Sequence, residues 1–282
     1  CEWACIFAWL GVQVTVVEML PNLLPGQDHE VVRLLEQSMR KLGVTVLTDS
    51  RMESVEDTGN SVKAKVGEEL LEADCLLVSV GRKPLTDGLD LEAAGLNTDE
   101  GGAIPVDARC ATDVPGIYAI GDVTGGIQLA HRASAMGVCA ADNATGHRAE
   151  HSDRLVPSCI FTAPEIGAVG LTENAAKEQG EVRVGKFPFQ ALGKALAIGE
   201  KSGFCKIVAD AETDQVLGVH IIGPHATDLI SEAASAMSLE VTAEELGRVI
   251  HPHPTLGEAL METAHAVHDR CIHLPPPRKL GG

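Results

Sequence analysis

The apolar residues of this chain change period part-way along, and that change constrains the fold more than any other feature. Residues 12–17 (VQVTVV) are rich in β-branched side chains and read as a strand. Residues 28–42 repeat apolar side chains at Val31, Leu35, Met39 and Leu42 before Gly43. That spacing predicts an amphipathic helix with a glycine stop. Residues 44–47, 62–66 and 75–80 read as further strands and residues 1–10 as a helix. Helices alternating with strands predict a parallel sheet with helices on its faces.

After a charged linker at 147–153 the texture is different. Short strands broken by Gly and Pro are expected at 158–162, 167–170, 183–189, 204–210 and 216–222, followed by helices at about 226–239 and 255–269. This predicts an antiparallel sheet with helices, an α+β module. Between the two halves, residues 84–102 read as a crossover loop and 117–120 as a short buried strand that ends at Gly121 and Asp122. An Ala-rich helix is expected over 130–145, and the triple proline at 275–277 excludes a helical tail.

The 282 residues suffice for two domains, and a hydrophobic content of 45% with only 3% aromatics means that their cores are aliphatic. The net charge of −18 and the lack of a basic block argue against nucleic-acid or anionic-membrane partners. No run of eighteen apolar residues is present, and the first residues carry no basic leader region, so neither a membrane span nor a secretory leader is expected. Eight scattered Cys, several in apolar runs such as residues 74–78, suit reduced thiols packed as small hydrophobes in a cytoplasmic protein. Cys1 and Cys5 stand i and i+4 on a helix, which suits packing better than a metal, and no metal site is expected.

Three places carry chemistry. His253 and Glu258 lie five positions apart across a turn at Pro254. A carboxylate on the far nitrogen of an imidazole fixes its tautomer and suits it to act as a base. The same residues fit a helix start in which Thr255 and Glu258 form a T-x-x-E capping box, and both readings stand. Glu18 ends a hydrophobic strand, as does the acid that accepts ribose hydroxyls and disfavours a 2′-phosphate in a dinucleotide fold; an exposed strand-end acid is the simpler alternative. Asp122 follows a buried run, and the helix opening at Gln128, Leu129, Ala130 and His131 presents free N–H groups and a positive dipole end to an electron-rich ring.

Six motifs in one order carry a family resemblance: VTVVEM (14–19), SVGRKP (79–84), GIYAIGDV (116–123), LAHRA (129–133), FTAPEIGAVGLTE (161–173) and HPHPTLGE (251–258). Over nearly its whole length the chain resembles the C-terminal three-fifths of a flavin-dependent pyridine nucleotide–disulfide oxidoreductase, and within that family it looks most like the dihydrolipoamide dehydrogenases. The resemblance implies an α/β, Rossmann-like dinucleotide-binding region followed by an α+β dimerisation domain. It divides the chain into a partial NAD-binding domain (1–84), a central FAD-binding return segment (85–153), a dimerisation domain (154–277) and a tail (278–282).

The resemblance also implies roles. Glu2 falls near the nicotinamide, Glu18 on the adenosine ribose, Met52 against the adenine and Gly81 at the close approach to the nicotinamide half. Asp122 falls on the flavin ribityl chain, and Gln128, Leu129, Ala130 and His131 lie under the flavin pyrimidine. His253 and Glu258 match the dyad that serves the redox disulfide of the other subunit, whereas His251 matches a structural position. FAD and NAD are the implied cofactors. A second copy of the chain and the lipoyl domains of 2-oxo acid dehydrogenase complexes are the implied partners.

The family's N-terminal glycine motif and its C-x-x-x-x-C redox pair are absent from the sequence, and the C-x-x-x-C of Cys1 and Cys5 does not replace the latter. The chain is therefore expected to be a fragment. The alternatives are a glutathione or mercuric reductase-like relative, or a non-catalytic dimerisation piece. Glu18 in place of a basic residue and a single terminal Cys271 weigh against the two reductases.

Overall fold

A computed structural model describes residues 1–275; part of the proline run, at 276–277, and the tail at 278–282 lie outside the described residues. The chain gathers into two compact units, one formed by Cys1–Leu76 together with the chain from Pro157 onward, the other by Leu77–Val156.

In the first unit, α1 (Glu2–Trp9), β1 (Thr15–Val17), α2 (His29–Lys41) and β2 (Thr45–Leu47) follow the expected alternation, and β1 pairs with β2 in parallel. Helix α2 begins where the Asp28 side chain accepts the Glu30 N–H at 3.0 Å. It buries Val31, Val32, Leu35 and Met39, and ends as Gly43 takes a positive φ of 93°. These side chains join Ala4, Cys5, Val44 and Val46 in a core that also includes Ile166, Phe204 and Ile222.

A three-stranded antiparallel meander follows: β3 (Met52–Asp57), β4 (Val62–Val66) and β5 (Glu69–Ala73). Only β4 was legible as a strand. β3 is mostly polar and β5 sets Leu70 and Leu71 side by side, and both strands are largely exposed on both faces, so neither carries an apolar alternation to read.

The remainder of the first unit is a five-stranded antiparallel sheet in the order β6 (Ser158–Ile160), β7 (Glu165–Gly170), β10 (Val216–Gly223), β9 (Phe204–Asp210) and β8 (Val182–Pro188). Helices α4 (Glu173–Lys177), α5 (Gly193–Ile198), α6 (Ala226–Ser238), α7 (Ala243–Gly247) and α8 (Glu258–Ala266) complete it. α8 packs on β8 at Gly185, where a Cβ would stand 2.2 Å from the Thr263 carbonyl oxygen, so only glycine lets the helix approach. The α/β region followed by an antiparallel module is the architecture that the two sequence textures predict.

β9 carries a charge into this core. Lys206 is fully buried, and its Nζ lies 2.9 Å from Asp28, 3.0 Å from Glu30 and 2.6 Å from Glu173. Burial pushes the Lys206 ammonium down, but the three carboxylates overcome it and hold it above the ordinary lysine range.

The second unit has short helical turns at Leu91–Ala94 and Gly121–Thr124 and one long helix, α3 (Ala130–Ala144). Cys110, Met136, Cys139 and Ala140 form its small core.

Three expectations are corrected. Residues 75–80 form no strand, and Leu77, Val78 and Val80 are exposed, because no described strand pairs with the run. Residues 117–120 form no strand either; Tyr118 makes a single bridge to Ala111, and Ile120 is exposed. Cys75 is exposed rather than packed, unlike Cys5, Cys110, Cys139 and Cys205. Among the described residues, no helix is long and apolar enough to cross a membrane.

Candidate functional site

The loop into α8 brings His253 onto Glu258. His253 Nδ1 lies 2.8 Å from Glu258 Oε1, while the other carboxylate oxygen accepts the Thr255 N–H at 2.8 Å. One carboxylate therefore serves both readings of the sequence. The capping box itself is only half present. The Thr255 hydroxyl donates to the Pro252 carbonyl, and α8 starts at Glu258 behind Gly257 rather than at Thr255. A complete capping box occurs instead at Thr242 and Glu245 on α7.

Burial pushes the Glu258 carboxyl up, but the Thr255 N–H and the imidazoles of His253 and His273 bring it below the usual carboxylate range. Glu258 is therefore an ionised acceptor at neutral pH. An ionised acceptor takes its hydrogen bond from Nδ1–H of His253, which leaves Nε2 to face outward on a side chain that is 73% exposed. His251 is built differently. Its side chain is 4% exposed, with Nε2 at 2.7 Å from Glu232 and Nδ1 at 2.9 Å from the Val249 carbonyl, so no ring nitrogen is left for a reaction.

Glu18 and Met52 come to neighbouring places. The Ser50 N–H donates to the Glu18 carbonyl at 3.0 Å, two residues before Met52 opens β3. Glu18 Oε1 accepts the Leu20 N–H at 2.8 Å, which holds the carboxylate at the end of β1. Glu2 lies at the start of α1, where its carboxylate accepts the Phe161 N–H at 2.7 Å.

Within the second unit, Asp122 sits in the turn Gly121–Thr124, where Gly121 has a φ of +72° and a Cβ would meet Ala133 at 3.0 Å. Glycine there lets the turn press against α3. Arg82 approaches Asp122 at 3.1 Å, and both side chains are solvent-accessible. Gly81 adopts a φ of +129°, in the region that favours glycine.

Leu129 precedes the fifteen-residue helix α3 and supplies no side-chain cap to it. The loop before it is fixed by buried Arg132, which donates to the carbonyls of Gly125 and Ile127 and pairs with Asp153 at 2.6 Å. Arg132 lies inside the LAHRA motif, so its signal was present, but its partner is twenty-one positions away. A carboxylate beside a helix start can accept hydroxyls and face an electron-rich ring, and a strand-end carboxylate such as Glu18 can accept a diol. Among the described residues, no group of three His, Cys, Asp or Glu side chains is placed to hold a metal ion.

A family model described as pyridine nucleotide-disulphide oxidoreductase matches residues 1–137, and one described as the dimerisation domain of the same group matches residues 156–264. The chain belongs to the pyridine nucleotide-disulphide oxidoreductase family.

Within that family it is similar to the dihydrolipoyl dehydrogenase of Thermus scotoductus, 45% identical over 280 residues that cover 97% of this chain and 60% of the relative. The corresponding protein of Bacillus subtilis is also 45% identical, over 96% of this chain and 59% of the relative. Among solved structures, LpdA from Mycobacterium tuberculosis superposes with a TM-score of 0.88 at 31% identity, over 94% of this chain and 58% of its own. The HOCl-induced flavoprotein disulfide reductase RclA from Escherichia coli gives 0.87 at 28% identity, over 93% and 61%. The chain thus spans about three-fifths of the length of the curated relatives it matches.

The family's sequence signature does not reveal the imidazole–carboxylate pairing of His251 or of His273. Glu232 holds His251, and Glu262 holds His273 at 2.5 Å. The partners are separated by nineteen and eleven residues, so no local pattern joins them.

Proposed function

We propose that this chain is the nucleotide-facing and proton-accepting part of a dihydrolipoyl dehydrogenase, which in complete form oxidises dihydrolipoamide through an active disulfide and FAD and reduces NAD. The supporting observation is the His253–Glu258 pair, with one imidazole nitrogen tied to an ionised carboxylate and the ring open to solvent. A dithiol with an ordinary thiol pKa of about 8.5 is mostly protonated at neutral pH and needs a base to attack a disulfide. His253 Nε2 takes that proton, and Glu258 keeps the ring oriented and balances the imidazolium.

Bound FAD supplies the two-electron passage between thiols and nicotinamide. Asp122 and the helix opening at Gln128, Leu129, Ala130 and His131 hold the flavin; Glu18, Met52, Gly81 and Glu2 hold NAD. In this reading residues 1–84, 85–153 and 154–277 are the NAD-binding, flavin-return and dimerisation segments. The protein is a homodimer in which His253 serves the partner's disulfide, lipoyl domains of 2-oxo acid dehydrogenase complexes deliver the substrate, and free thiols suit a reducing cytoplasm.

The test uses a version of the protein extended to the relatives' length. His253→Gln is expected to slow dihydrolipoamide oxidation about 10²–10⁴-fold, the usual worth of a positioned base. Mixed dimers of this variant with a subunit lacking its redox cysteines should regain one working site of two. Undiminished turnover in His253→Gln removes the base, and dead mixed dimers remove its action across the interface.

A further inference from the structure

We infer that Glu262 and His273 belong to the His253 site, with Glu262 a positioning residue that fastens the C-terminal segment so that the His273 imidazole stands beside Glu258. The inference rests on the reading of His253 as the base and extends the site to residues that the family motif does not reach.

The Glu262 side chain is fully buried and serves three consecutive residues. Its Oε2 accepts the Cys271 thiol at 2.9 Å, the Ile272 N–H at 2.8 Å and the His273 N–H at 3.4 Å, while Oε1 meets His273 Nδ1 at 2.5 Å. A buried carboxylate needs such compensation, and among the described residues this one draws it from the segment after α8.

Glu258 and Glu262 are i and i+4 on α8 and therefore neighbours on one helix face. Each holds an imidazole by Nδ1, and both imidazoles are exposed, His253 at 73% and His273 at 57%. Two like charges one turn apart repel. His273 is among the groups that offset this repulsion and hold the Glu258 carboxyl low, after burial has raised it and the Thr255 N–H and His253 have lowered it.

Of the cations on or next to the elements packed against α8, Arg248 after α7 is paired with Glu244, Lys186 of β8 with Glu30 and Lys206 of β9 with Asp28, while Arg183 of β8 is exposed. Glu232 of α6 is held by His251. The clamp leaves a chemical mark as well. Burial, then Glu262, pushes the Cys271 thiol up to about 12, so this thiol stays protonated and out of exchange chemistry.

Two measurements on the 282-residue chain, without cofactor or substrate, test this. The first follows the Glu258 carboxyl carbon by NMR across acid pH in the wild type, in His273→Gln and in a control, His268→Gln. His273→Gln should move the Glu258 midpoint to higher pH, and the control should not. The second measures iodoacetamide labelling of Cys271 at pH 8 by peptide mass spectrometry. Glu262→Gln should speed it at least tenfold, on the order expected when a thiol loses an adjacent anion.

An unmoved Glu258 midpoint in His273→Gln overturns the inference, as does unchanged Cys271 labelling in a folded Glu262→Gln. If Glu262→Gln does not fold, the exposed His273→Gln still decides. Neither readout needs turnover, so failure here leaves the dehydrogenase reading intact, and normal turnover of His253→Gln leaves these two results standing.

Discussion

Replacing Lys206 by Met should destabilise the first unit by about 3–5 kcal/mol, the usual cost of removing one partner from a buried ion pair. The size follows from the charge count. Lys177, Lys186 and Lys206 face Asp28, Glu30 and Glu173, three cations against three anions. Without Lys206 two cations remain against three. Glu30 keeps Lys186 and Glu173 keeps Lys177, so the deficit falls on Asp28, which is 1% exposed. Asp28→Asn should cost less, about 1.5–3 kcal/mol for one lost charged hydrogen bond, because Lys206 keeps two carboxylates and Asn still caps α2. Adding Asp28→Asn to Lys206→Met should then recover about 1 kcal/mol or more, since the stranded carboxylate is gone.

The chain has two compact units, so a single unfolding transition is not a safe measure. Amide exchange at Ile207 and Val208, both fully buried in β9, reports the first unit alone. The effect should also depend on pH. Burial raises the carboxyls of Asp28, Glu30 and Glu173, but the lysines bring all three below their ordinary values. Lowered carboxyls contribute stability that is present above their unfolded values and lost as pH falls through the folded ones. The raised Lys206 contributes stability that is lost only as pH rises through its folded value, above 10.5. The gap between wild type and Lys206→Met should therefore be full at neutral pH and shrink below about pH 4. A Met variant as stable as wild type at pH 7, or a gap that ignores acid, refutes the reasoning.

Two further outcomes follow from the site and its frame. In an extended protein, Glu18→Ala should narrow the preference for NADH over NADPH by roughly tenfold, equivalent to about 1.4 kcal/mol, because the repulsion of a 2′-phosphate is removed; equal binding ratios in titrations would place selectivity elsewhere. Gly185→Ala should lower the stability of the 282-residue chain by about 1–3 kcal/mol by forcing α8 off β8, and an unchanged urea midpoint would show that the approach at Thr263 is not tight.

What could be read in the sequence was what has a local cause. α2 shows its apolar stripe because one face meets a core, and β9 matches the expected 204–210 because its residues are buried on both faces. The His253–Glu258 pair was legible because five positions and a turn bring the groups together. Residues 75–80 failed the same logic in reverse. Apolar character states what a segment can bury, but the burial needs a neighbouring strand, and none of the described strands supplies one.

Partners far apart in sequence leave almost no trace. Lys206 offered one anomaly, a charge inside an apolar strand, but its partner Asp28 lies 178 residues away and sits where a helix cap alone would account for it. Glu262 likewise passes for an ordinary polar position on α8, because nothing in its own helix reveals that the residues at 271–273 need a buried acceptor. Both cases are carboxylates on helices whose buried state is set by a cation or a donor brought in by another segment. A lysine in a buried strand, or a carboxylate on the core side of a terminal helix, is thus the observation from which to search the rest of a chain for the compensating charge, since neither group is stable in that place alone.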